Sequence, residues 1–209
     1  MQTQEAKSPA AKRRRRRLAP DVRRAQLMEC ALRVFARRGL GEARHAEIAD
    51  EAGVAVPTVF FYFPTREALV DAVLQEVDRF LIDMALKIHA SDAPADKVML
   101  DHIVAFTDSV ETHPDHARVW LDWSTAIRDV VWPRYLDFQD RMFDIITTTL
   151  QRGQLQGDIS RQFDAADQAR LLVGSAHMLA QMKFAGQPRE KLEQFFRTLV
   201  GAVLGPASS

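Results

Sequence analysis

One cysteine, Cys30, is all that the 209 residues hold. An intramolecular disulfide is therefore excluded, and a reducing compartment such as the cytoplasm is the expected setting. No apolar run approaches the ~20 residues of a membrane span, and the N-terminus lacks the apolar stretch of a secretory signal. No GxSxG, HExxH, P-loop or glycine fingerprint occurs, so the residues offer no nucleophile elbow, zinc pair or phosphate cradle. An enzyme is not expected, nor is a cofactor or metal. No alternating pattern of strand length appears, and no internal repeat. Composition is otherwise ordinary, 47% hydrophobic and 27% charged, which excludes a wholly disordered chain. A chain of this length can bury a real core, as one large domain or a small one beside a larger one.

The net charge of zero hides an asymmetry. Residues 1–38 hold 12 Lys and Arg against 3 Asp and Glu, a net of +9, and residues 39–209 carry the compensating −9. A basic head on an acidic body suggests that the head meets a polyanion. Its most basic part is the run KRRRRR, Lys12 to Arg17. Adjacent arginines repel one another, so residues 1–17 are expected as a disordered arm that extends until it finds phosphate.

Beyond the arm the apolar spacing is helical throughout. Leu27, Ala31, Val34 and Phe35 predict a first helix over 21–38, after Pro20 and before Gly39. A short helix fits His45 to Ala52 and another Val56 to Tyr62, stopped by Pro64. Thr65 is a good N-cap for a long helix carrying Leu69, Val73, Val77, Leu81, Met84 and Ile88. Further helices are expected over 94–113, 115–128, from Pro133 to near Gly153, from Asp164 to about Phe184, and from Pro188 to about Val203. The fold class is all-α, with about nine helices.

Ile48 to Leu69 reads IADEAGVAVPTVFFYFPTREAL. A short helix, a glycine turn and a second short helix are the parts of a helix-turn-helix, whose second helix enters a DNA major groove. Together with LMECALRVFARRG before it, this stretch resembles the DNA-binding domain of TetR-type transcriptional regulators. Within that family it is most similar to the LuxR/HapR-type quorum-sensing master regulators of vibrios, which share the basic arm and a stretch seen here as WLDWSTAIRDVVWP, Trp120 to Pro133. The resemblance is dense over residues 12–80, clear to about 135 and thin beyond. It implies a homodimer on double-stranded DNA with a pseudo-palindromic operator. The organisation it implies is the arm over 1–17, a helix-turn-helix domain over 18–64, and a helical regulatory and dimerisation domain over 65–209.

The resemblance also implies site residues. Arg13, Arg15 and Arg17 would enter the minor groove, where negative potential favours arginine. Val56, Pro57, Thr58, Phe61, Tyr62, Thr65 and Arg66 make up the candidate contact set on and after the recognition helix. Thr58, Tyr62 and Arg66 match phosphate-contacting positions, while packing of Tyr62 and simple solvation of Arg66 are the plainer alternatives. His45 stands where many relatives carry a capping Thr or Ser that touches phosphate. Ala55 replaces the serine usual at the recognition-helix cap, at a cost of ~1 kcal/mol. Phe61 replaces an asparagine. An asparagine reads adenine through two hydrogen bonds, whereas a phenylalanine reaches only a thymine methyl or a sugar edge. Phe61 either faces DNA or folds back into the core.

In the body, Trp120 and Trp123 are core residues or walls of a ligand cavity with Leu81, Met84, Phe106 and Phe138. Leu172, Ser175, Leu179 and Met182 on one helix, with Phe195, Phe196, Leu199 and Val203 on the last, are the candidate dimer interface, since a helix apolar on more than one side is central or shared. Cys30 is expected as a small core residue, and Pro114 argues against metal binding by His113 and His116. Three readings follow. The leading one is a dimeric, sequence-specific regulator, repressing or activating in the manner of the vibrio proteins, or else a local repressor released by a small hydrophobic effector. An enzyme using the cavity and a non-specific nucleic-acid binder relying on the arm are the competing classes.

Overall fold

The computed structural model describes residues 18–205, so the arginine arm with Arg13, Arg15 and Arg17 lies outside the described residues. Among the described residues there are nine helices and no strand: α1 (Pro20–Arg38), α2 (His45–Ala52), α3 (Val56–Tyr62), α4 (Arg66–His89), α5 (Ala95–Thr112), α6 (Pro114–Ser124), α7 (Trp132–Gln156), α8 (Ala165–Phe184) and α9 (Arg189–Leu204). None of them is long and apolar enough to cross a membrane.

The first three helices fold around the inward side chains of α1. Leu27, Ala31, Val34 and Phe35 are sealed from solvent, as are Ile48 and Ala49 of α2 and Val59 of α3. Cys30 is part of this core, 2% exposed, with the Arg33 guanidinium 3.2 Å from its Sγ. Several arginines of the basic head serve this fold. Glu51 accepts from both Arg33 and Arg37, and Glu47 from Arg38, tying α1 to α2. Gly53 ends α2 at φ 63 and ψ 40, a left-handed conformation that glycine adopts without steric cost, and its N–H donates to the Ala49 and Asp50 carbonyls.

α4 begins where the Thr65 hydroxyl accepts from the Ala68 N–H at 3.1 Å. Its 24 residues span about 36 Å, from the edge of the three-helix head into a body of α5 to α9. There it packs on α5, α6 and α7, while α8 lies against α5, α7 and α9.

Two helix ends differ from the sequence expectation. α7 runs through Gly153 to Gln156 and stops at Gly157, φ 85. Gly153 is there for contact: a Cβ on it would lie 2.3 Å from the Ala95 Cβ. α6 ends at Ser124, short of residue 128. The Ser124 and Thr125 hydroxyls bond back to the Leu121 and Asp122 carbonyls, and the Asp129 carboxylate accepts from the Val131 N–H. Such local hydroxyl and carboxylate bonds compete with helix continuation.

Candidate nucleic-acid interface and ligand cavity

α3 presents a largely aromatic outer surface. Phe61 is 78% exposed, so of the two readings for this residue the outward one holds. Tyr62 is half-buried and meets the Phe61 ring edge-on at 5.2 Å. Phe60, which sequence reasoning passed over, is 45% exposed and stacks on the His45 ring at 4.1 Å and 4°. Pro57 and Thr65 are exposed, and Val56 and Thr58 are half-buried. Ala55 stands at the N-cap with no side-chain bond, and Pro57 in the first turn presets the backbone.

Two candidate phosphate contacts already have partners within the protein. His45 is buried, and its Nε2 is bonded to the Phe63 carbonyl at 2.8 Å. The cap position itself belongs to Arg44. His45 therefore closes the start of α2 onto the end of α3, where a freely reaching donor was expected. Arg66 is neither free nor merely solvated. One guanidinium nitrogen donates to the Leu40 and Gly41 carbonyls at 2.6 and 2.7 Å, pinning the α1–α2 turn to the first residue of α4.

Inside the body, α4, α5, α6, α7 and α8 line a cavity of about 70 Å³. Leu81, Met84, Phe106, Trp120 and Phe138 line it, as the sequence suggests. Trp123 does not. It is fully buried behind that wall, its Nε1 donating to the Val131 carbonyl at 3.2 Å and its ring packed on Tyr135 and Phe138. Leu172 and Leu179 of α8 line the cavity as well. Polar groups among the lining residues are few, chiefly His102 and Gln139. The sequence places His102 in phase with Val98 and Phe106, and a histidine in an apolar stripe is the signal that could have marked it. His113 and His116 pack against the Phe80 ring, with centroids 4.8 and 4.6 Å away. No group of three or more metal-ligating side chains occurs among the described residues.

The family model for bacterial regulatory proteins of the tetR family matches residues 27–73, from mid-α1 into α4. Over 199 residues the chain is 38% identical to the HTH-type transcriptional regulator LuxR of Vibrio harveyi, covering 93% of each chain. The chain belongs to the TetR family of transcriptional regulators. Another relative, the HTH-type transcriptional repressor KstR2 of Mycobacterium tuberculosis, is 27% identical over 66% of this chain and 71% of its own. The TetR fold extends over the body: the Bacillus subtilis regulator FadR, solved with stearoyl-CoA, superposes with a TM-score of 0.71 at 18% identity, over 87% of this chain and 97% of that one.

In this TetR regulator, the candidate dimer residues divide. Leu172, Leu179, Phe196 and Val203 are buried within the chain's own core and leave little surface exposed. Ser175, Met182, Phe195 and Leu199 are half-buried. The large apolar side chains that α8 exposes are Leu171, 60%, Met178, 49%, and Phe184, 39%, of which Leu171 and Met178 are seven residues apart and so on one face. The regulator's head and body also share a bond that the sequence did not reveal. The Asp122 carboxylate of α6 accepts from the Leu40 N–H at 2.7 Å. Asp122 lies two residues beyond Trp120, a wall of the cavity.

Proposed function

We propose that the chain acts as a homodimer that binds a pseudo-palindromic operator, one α3 per half-site, and represses or activates transcription in the manner of the vibrio quorum-sensing masters it resembles. In this reading residues 18–64 read DNA and residues 65–209 dimerise and regulate. The observation that carries it is the outer face of α3, where Phe61 stands exposed with Pro57 and Thr65 around it. A short helix with its inner side locked by Val59 and its outer side free has the form of a major-groove reader. The dimer reading rests on Leu171 and Met178, apolar and exposed on α8. Two such faces meeting would remove them from water. Residues 1–17 supply the minor-groove arm.

A second element of the reading is an effector in the cavity, as for a repressor released by a small hydrophobic ligand. The apolar lining favours it. The path from cavity to DNA is short: Trp120 to Asp122 along α6, Asp122 to Leu40, and Arg66 back to the same turn. A ligand that moves α6 would tilt the head, changing the spacing of the two recognition helices.

The test is selection of bound duplexes from a random DNA pool at two salt concentrations. A palindromic motif that persists at the higher salt is expected. Enrichment without a motif, vanishing with salt, would mark a non-specific phosphate binder instead.

A further inference from the structure

The cavity wall contains a hydrogen-bonded chain that ends at the cavity. The Thr149 hydroxyl of α7 is 2.7 Å from His89 Nδ1, and His89 Nε2 is 2.9 Å from His102 Nδ1. His102 lines the cavity, whereas His89 and Thr149 stand behind it. Each polar atom along the chain has its partner inside the protein until the last, His102 Nε2. Buried polar groups ordinarily have every strong partner they need. Three polar side chains from three helices, open only at the cavity end, amount to a fixed hydrogen-bonding pole in a wall that is otherwise apolar apart from Gln139 and Tyr135.

The tautomers run as a unit. If the Thr149 hydroxyl donates to His89 Nδ1, the protons lie so that His102 Nε2 carries its N–H toward the cavity. If Thr149 accepts and its hydroxyl points to the Ile145 carbonyl, 3.5 Å away, His102 Nε2 is an acceptor. Either way the chain is neutral. Burial pushes the His102 imidazolium down to about 4 and, with His102 and Arg152 adding to it, that of His89 to about 3. No Asp, Glu, Lys or Arg lines the cavity. Arg152 is committed to the Ser91 and Ala93 carbonyls.

We propose that His102, backed by His89 and Thr149, is the residue that selects the effector by hydrogen bonding a single uncharged head group (a hydroxyl, ketone or amide) on a largely apolar molecule, and that carboxylates and phosphates are refused. The proposal rests on the reading of the cavity as an effector site. Refusal follows from the same wall: a buried anion without a cation partner is heavily disfavoured. His102 is the contact, and His89 is a positioning residue that fixes its ring and tautomer.

Equilibrium dialysis of the full chain at pH 7.5 against three probes of one shape tests it: 4-butylphenol, butylbenzene and 4-butylbenzoate. In the wild type the benzoate is expected to bind at least tenfold more weakly than the phenol. His102→Leu lowers phenol affinity about tenfold and leaves butylbenzene affinity unchanged, which also reports an intact cavity. His102→Gln, which keeps a hydrogen-bonding tip, restores most of the loss. His89→Leu lowers phenol affinity severalfold, again without touching butylbenzene. Equal phenol binding by His102→Leu and wild type, or benzoate binding as tight as phenol, overturns the proposal while leaving the effector site standing. Failure of all three probes to bind the wild type removes the effector reading, and this selection with it.

Discussion

Phe61 and Gly153 are two residues whose side chains, one present and one absent, can be tested singly. Phe61 projects into solvent, so Phe61→Ala should change the unfolding free energy by no more than about 0.5 kcal/mol, the range of ordinary surface changes, as denaturant titration would show. The same variant should weaken operator binding or relax its sequence preference in a gel-shift assay against the selected motif. Gly153→Ala does the opposite. Alanine favours a helix by about 1 kcal/mol over glycine, yet the new Cβ would meet the Ala95 Cβ, which is fixed to the α5 backbone and cannot rotate away. Overpacking of this kind costs ~1–3 kcal/mol, so a lower melting temperature is expected by calorimetry. His89 and His102 set a pH dependence. Their folded-state values lie below the ordinary histidine value, so below about pH 6.5 the unfolded chain binds protons that the folded chain refuses. Stability from this pair is full above that pH and is lost as pH falls toward 4 and then 3. Melting curves between pH 7.5 and 4 should show the slope, and the double variant His89→Leu, His102→Leu should flatten it.

At the scale of elements, the C-terminal half of α6 is held on two sides. Trp120 faces the cavity, and Asp122 accepts from the turn between α1 and α2. Asp122→Ala leaves the Leu40 N–H without its partner, at a cost of ~1–3 kcal/mol. Hydrogen exchange at the Leu40 amide should accelerate, while amides inside α7 and α8 remain protected. Much of this architecture was legible in the sequence. The bounds of α2 and α3 follow from Gly53, Pro64 and the Thr65 cap, because local turn chemistry fixes them. The wall residues Leu81, Met84 and Phe106 follow from helical period. What was not legible depends on tertiary partners. Gly153 reads as a stop signal until Ala95 is seen against it. His45 reads as a phosphate donor until the Phe63 carbonyl is found beside its ring. Leu172 and Leu179 read as interface because periodicity separates buried from exposed faces only when one face is polar, and α8 is apolar on several.

For the molecule as a whole, the proposed dimer places its assembly on the exposed face of α8 that carries Leu171 and Met178. Leu171→Arg with Met178→Glu should convert the dimer to a species of half the mass by light scattering. Operator binding should fall steeply with it, because one half-site alone forfeits the second α3. Helix content by circular dichroism should be unchanged, since both side chains point outward. The charge asymmetry of the chain follows the same division of labour. Arginines of α1 that are paired to Glu47 and Glu51 hold the head together, which leaves residues 12–17 as the concentrated cationic segment. The single cysteine has a consequence of its own. Cys30 lies inside the head with 2% of its surface exposed, burial raises its thiol pKa, and no second thiol competes for a reagent. The rate at which a disulfide reagent modifies the native protein therefore times the breathing of the three-helix head alone. A duplex clamped across two heads should slow that clock, making operator engagement readable as a chemical half-life without any added label.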